Sequence, residues 1–120
     1  MKVYKSNIVD ALRYLSDLEL QRQHWLAPGD NSGYFVDEVE TVFLDSGIED
    51  LIAQGYVVFG KKEDSALLGL LSASDTVGYK RDQRLDLHSE SMQHVREKAA
   101  KALALIEASD GRESTVEILP

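Results

Sequence analysis

The sequence contains no cysteine, so disulfides, thiolate nucleophiles and cysteine-ligated metals are excluded. No apolar run approaches the roughly 18 residues that a membrane-spanning helix requires. The first ten residues lack the apolar core of a secretory leader, and Asp10 interrupts them early. The expected compartment is therefore the cytoplasm. Several catalytic and binding patterns are also missing. There is no complete phosphate loop of the Gly-x-x-x-x-Gly-Lys-Ser/Thr type, no Gly-x-Gly-x-x-Gly and no Gly-x-Ser-x-Gly. The three histidines are His24, His88 and His94. His88 and His94 would lie on different faces of a helix, and no His-x-x-x-His pair exists, so no zinc site is expected. Asp110-Gly111 lacks the other ligands of a calcium loop. No cofactor and no metal are expected.

The most telling shortage is local. Between Gln23 and Gly60 there is no lysine and no arginine, while Asp30, Asp37, Glu38, Glu40, Asp45, Glu49 and Asp50 all fall there. These seven acids account for nearly all of the formal net charge of −8. The same stretch holds Trp25, Tyr34, Phe35, Phe43, Tyr56 and Phe59, most of the large aromatic surface. Acidic proteins are commonly acidic for solubility alone. Charge concentrated beside aromatics fits a surface that meets a basic partner better than it fits an ordinary solvated face. The acidic balance, with pI near 4.8, argues against nucleic acid as a direct partner, because phosphate binding needs clustered Lys and Arg.

What is present points to one soluble domain. A chain of 120 residues fits a single domain over residues 1–120. It is long enough to close one core without staples. Ser6 is a candidate cap, after which Ile8, Ala11, Leu12 and Leu15 recur at helical spacing. Ser16 with Glu19 has capping-box spacing, so residues 7–26 read either as two helices broken at Leu15–Ser16 or as one long helix, the break being favoured. Leu18, Arg22 and Trp25 share a face of the second piece, with Trp25 a core anchor. Ala27–Gly33 is a loop. Phe35, Val36, Val39, Val42 and Phe43 then mark one face of a helix over 34–44. Ser46 and Glu49 form a second candidate capping box for a short helix, Ile48–Gln54, which Gly55 ends. Tyr56–Phe59 reads as a strand or as an apolar loop crossing the core.

A further helix over Lys61–Ala73 turns Ala66, Leu67, Leu70 and Leu71 inward, and Leu68 widens its apolar face. Tyr79–Leu87 is a polar, basic loop. Ser89 caps the last helix, which carries the stripe Met92, Val95, Ala99, Ala102 or Leu103, and Ile106. Val3–Tyr4 and Thr115–Ile118 are short candidate edge strands. The expected fold is mainly α: a single domain of four to five helices with two or three short edge strands.

Several residues resemble a known pattern. Leu15-Ser16-Asp17, then Gln21 and Trp25 four apart, then Val42-Phe43-Leu44-Asp45-Ser46-Gly47 resemble a family of small uncharacterised bacterial proteins, over about Leu12 to Ala108. One of that family's aspartates is replaced here, by Leu44 or Ser46. The glycine-bounded apolar segment from Gly55 to Gly60 and the two helices after it match as well. Proteins of this kind are similar in size, acidity and lack of cofactor motifs to the immunity proteins of bacterial toxin systems such as contact-dependent inhibition. The resemblance implies a protein that binds and neutralises a toxin domain, and a nuclease toxin exposes the Lys and Arg an acidic surface would cover. The candidate partner-binding residues are Asp37, Glu38, Glu40, Asp45, Glu49 and Asp50, with Tyr34 and Tyr56 as aromatic anchors. Two other readings compete. One is a structural or regulatory homo-oligomer using the apolar face of Ala66–Leu71. The other is an enzyme holding a metal on Asp37, Glu40 and Asp45, a donor set of low specificity.

Overall fold

The computed structural model describes residues 2–25, 39, 42–43, 47–77, 86–108 and 115–117. The side chains of residues 2–4, 25 and 115–117 are not among those described. The architecture is mainly α. The described residues form strand β1 (Lys2–Tyr4), helices α1 (Lys5–Ser16), α2 (Leu18–Trp25), α3 (Ile48–Ala53), α4 (Lys61–Asp75) and α5 (Glu90–Ala108), and strand β2 (Thr115–Glu117). The two expected edge segments do pair. β1 and β2 run antiparallel, with Val3 opposite Val116.

The helices pack because each has one apolar stripe. On α1, Ile8, Ala11, Leu12 and Leu15 are buried at i, i+3, i+4 and i+7. On α5 the buried stripe is Met92, Val95, Ala99, Ala102 and Ile106, with Leu103 half-buried beside it. α5 is the central element, packed along α1 on one side and α4 on the other. Val39 and Phe43 join this core, and both have helical backbone of the wide, π type, as has the half-buried Val42. These three match the inward face expected of a helix over 34–44.

The break in 7–26 is real, but its cap differs from the expected one. The Ser16 hydroxyl turns back and donates to the Arg13 carbonyl at 3.2 Å, closing α1. Asp17 starts α2: its Oδ1 accepts from the Glu19 and Leu20 amides at 2.9 and 3.2 Å. Ser6 is no cap either, since α1 begins at Lys5, directly off β1. Gly47, at φ 79°, is the residue before α3 and supplies no side-chain cap; Ser46 of the expected Ser46–Glu49 box lies outside the described residues. Ser89 does cap α5, its Oγ accepting from the Met92 amide at 3.1 Å.

Two apolar residues, Leu68 and Leu87, sit otherwise than the sequence suggests. Leu68 is exposed, so α4 buries a single face built on Leu67, Leu70 and Leu71. Leu87, in the segment read as polar loop, is 3% exposed and belongs to the core. Of the two readings of Tyr56–Phe59, strand or apolar loop, the structure has the loop: its backbone is irregular and Val58 is buried. Trp25 has its backbone in α2, while its side chain lies outside the described residues. Residues 27–33 and 78–85 also lie outside them.

Candidate functional site

Of the acid- and aromatic-rich third of the chain, residues 23–25, 39, 42–43 and 47–60 are described. Asp37, Glu38, Glu40, Asp45 and Tyr34 lie outside the described residues. Glu49 and Asp50 occupy the first turn of α3, Glu49 half-buried and Asp50 exposed. Acids at that end of a helix also suit its dipole. Tyr56 follows the helix. Asp50 is the third residue of this six-residue helix, and Tyr56 comes three residues after its end.

The chain leaves α3 through a tightly defined exit. The Tyr56 amide donates to the Leu51 carbonyl at 3.1 Å and the Gly55 amide to the Ile52 carbonyl at 3.0 Å. That pair of bonds is the Schellman arrangement, and it requires a left-handed residue at the position Gly55 fills, with φ 94°. Gly55 thus ends the helix as the sequence indicates. The motif commonly brings the residue after the glycine against the last turn, which explains part of the burial of Tyr56. Even so, Tyr56 remains 37% exposed and Val57 beside it 52%.

After Val57 the chain turns inward. Val58 is buried and Phe59 half-buried against the core. Their amides are taken by one side chain: Asp64 accepts from Val58 N at 2.8 Å through Oδ2 and from Phe59 N at 3.0 Å through Oδ1. Asp64 lies in the first turn of α4 and is only 4% exposed. With its amides engaged by a carboxylate rather than a neighbouring strand, the segment has no ladder to join, which is why the strand reading fails. Tyr56 and Val57 are accordingly an exposed apolar pair held between two hydrogen-bonded anchors.

Gly55–Lys61 carries the glycine–glycine–lysine spacing of a phosphate loop, with Lys62 where that loop needs a hydroxyl residue for Mg²⁺. It follows a helix instead of a strand, and two of its amides already hold the Asp64 carboxylate. The anion in this loop is part of the chain.

A second polar cluster lies at the α1–α2 junction. Gln21 is fully buried. Its Nε2 donates to the Tyr14 and Leu15 carbonyls at 2.7 and 3.1 Å, two acceptors left open where α1 ends. Its Oε1 accepts from Arg96 Nη1 on α5 at 3.1 Å. Burial, and next the nearby Arg22 guanidinium, push the Arg96 guanidinium below its ordinary pKa. Arg22 in turn lies 3.4 Å from His88 Nε2 and 4.0 Å from a Glu19 oxygen. His24 meets the Tyr14 ring edge-on, with ring centroids 5.7 Å apart. Among the described residues no group of His, Asp and Glu is arranged to hold a metal ion. No helix among them is long and apolar enough to cross a membrane.

Sequence reasoning missed Val57, Asp64 and Arg96. Asp64 carried a usable signal, an acid in the first turn of a helix directly after an apolar run. Arg96 carried none, because its partner Gln21 is 75 residues away. No family model matches the chain, and neither a curated protein nor a solved structure matches it.

Proposed function

We propose that this chain is a protein-binding module whose acidic segment covers a basic partner, and that the partner is a toxin domain which the chain neutralises as an immunity protein. The observation that supports the reading is the exposed pair Tyr56 and Val57 directly after α3, whose first turn carries the exposed Asp50. An exposed carboxylate and two exposed apolar side chains, Tyr56 and Val57, stand on backbone fixed at Gly55 and by Asp64. Rigid presentation lowers the entropy lost on binding. Aromatic anchors ringed by complementary charge are the usual source of affinity and orientation in such interfaces. The other acids of the segment, from Asp37 to Asp45, extend the same charge in sequence.

The test is capture of the partner by the tagged chain from its own cell's lysate, at low and high salt. A single basic protein, released by salt, is expected. Tyr56→Ala and Asp50→Lys should each weaken its binding about tenfold or more, as loss of a central anchor does. Circular dichroism should show both variants folded. Capture that is indifferent to salt and to both substitutions would sink the reading.

A further inference from the structure

α4 and α5 lie side by side, and between them runs a groove of about 600 Å³. Its walls include Lys61, Lys62, Ser65 and Gly69 of α4 and Lys98 and Lys101 of α5. The spacing explains the convergence. Positions 61, 62, 65 and 69 form one stripe of a helix, as do 98 and 101. Packing of the two helices turns those stripes toward a shared space. In a chain of net charge −8, four of the 13 basic residues thus line one groove, and among the described residues no acid lines it.

Of the acids beside these lysines in sequence, Asp64 and Glu63 face the Gly55–Gly60 segment, while Glu97, one residue before Lys98, is exposed. Asp64 accepts the Val58 and Phe59 amides, and the Glu63 carboxylate lies against Gly60. Among the described residues, no ion pair involves a groove lysine. Like charges gathered along one groove repel one another, and a bound anion relieves that repulsion.

Gly69 supplies an independent observation. Glycine inside a helix is destabilising relative to alanine. Packing does not require it here, since a Cβ at 69 would meet no atom within 4 Å. The missing side chain leaves the wall of the groove open, and the volume over it lies within the range of small-molecule sites.

We propose that this groove binds a small polyphosphate, a compound carrying consecutive phosphate groups. Four ammonium groups act as point charges suited to phosphate oxygens spread along a chain. Lys62 stands where a phosphate loop would place its Mg²⁺-holding hydroxyl, so the lysines take the metal-free polyanion directly. Two sources share this chemistry, a nucleoside triphosphate and inorganic tripolyphosphate.

Calorimetric titration of the full chain at low salt tests the proposal, with tripolyphosphate, ATP, inorganic phosphate and an oligoglutamate of matched charge as probes. Tripolyphosphate or ATP should bind one per chain, far more tightly than inorganic phosphate, and excess Mg²⁺ should weaken binding. ATP binding the tighter would assign the groove to a nucleotide; equal or tighter tripolyphosphate would assign it to an inorganic chain. Lys62→Gln with Lys101→Gln, both at exposed positions, should weaken binding about tenfold per lysine, as loss of a contact to a charged group does. Gly69→Leu should block the groove, whereas Gly69→Ala should keep binding and raise the melting temperature. Absence of heat with either polyphosphate at millimolar concentration overturns the proposal. So does unchanged affinity in the folded lysine pair or in folded Gly69→Leu, or oligoglutamate binding as tightly as tripolyphosphate.

Discussion

At the α1–α2 junction and at the entry to α4, backbone groups that no helix can satisfy are met by one buried polar side chain each. They need opposite chemistry. Where α1 ends, carbonyls are left over, and the Gln21 amide group donates to two of them. Before α4 begins, amides are left over, and the Asp64 carboxylate accepts from two of them. The residue type at each site follows from which half of the peptide group is orphaned. The junctions differ in reach. Gln21 continues through its own oxygen to Arg96, so its bonds join α1, α2 and α5. Asp64 acts locally, fastening the Val58–Phe59 segment to α4. The proposed partner-binding pair, Tyr56 and Val57, depends on the local device.

Removing each device measures the difference. Asp64→Ala should have the larger effect, because it withdraws a charged acceptor and leaves two loop amides without a partner. A loss of about 3 kcal/mol in unfolding free energy is expected, since hydrogen bonds to charged groups each contribute more than neutral ones. Urea titration followed by circular dichroism reads it. Gln21→Leu keeps nearly the same volume but loses only neutral donors and the acceptor for Arg96. About 2 kcal/mol is expected. A larger loss from Gln21→Leu than from Asp64→Ala would mean that reach across three helices outweighs charge, reversing the comparison. Proton exchange adds a spatial reading: Asp64→Ala should speed exchange at Val58 and Phe59, while Gln21→Leu should leave those two amides protected.

The two junctions also mark what the sequence can and cannot reveal. Helical stripes were legible wherever apolar residues recur at the helical period, as in Ile8–Leu15 and Met92–Ile106. Local stop and start signals were legible too, at Gly55 and Ser89. The misreadings come from competition between neighbours. Ser16 and Asp17 both offer a cap; the carboxylate takes the α2 amides and the hydroxyl is left to the α1 carbonyl. Tyr56–Phe59 fits a strand or a loop equally by composition; a strand is made by its partner, and here the partner is Asp64, so the loop is what forms. Leu68 and Leu87 exchange their expected environments because apolar runs do not say which side faces the core. Groups that meet only through tertiary packing were invisible: Gln21 with Arg96, and the lysines of α4 with those of α5. Of the candidate site, Glu49, Asp50 and Tyr56 could be placed, while the geometry that makes Tyr56 and Val57 a fixed pair depends on Asp64.

The smallest expected effect concerns the charge at the Gln21 junction. Arg96 is held by a neutral oxygen, not a carboxylate, and burial together with Arg22 disfavours its charged form. A base whose pKa falls on folding binds its proton less tightly in the folded state, so its charge lowers stability at every pH at which it stays protonated. That cost would fade only as the pH rose through the arginine range, so no pH dependence is expected near neutrality. The handle is Arg22 instead. Arg22→Gln removes the like charge while also losing an exposed, 4.0 Å approach to Glu19 and a contact to His88 at 3.4 Å. Exposed pairs of that kind contribute little, so relief of Arg96 should prevail by a few tenths of a kcal/mol at low ionic strength. The gain should disappear at high salt, where the repulsion is screened. A gain that persists in high salt would mean that Arg22 acts on α2 by some route other than its charge. A loss at low salt would mean that its contacts to Glu19 and His88 outweigh its repulsion of Arg96, and would make Arg22 a third support of the junction that Gln21 holds.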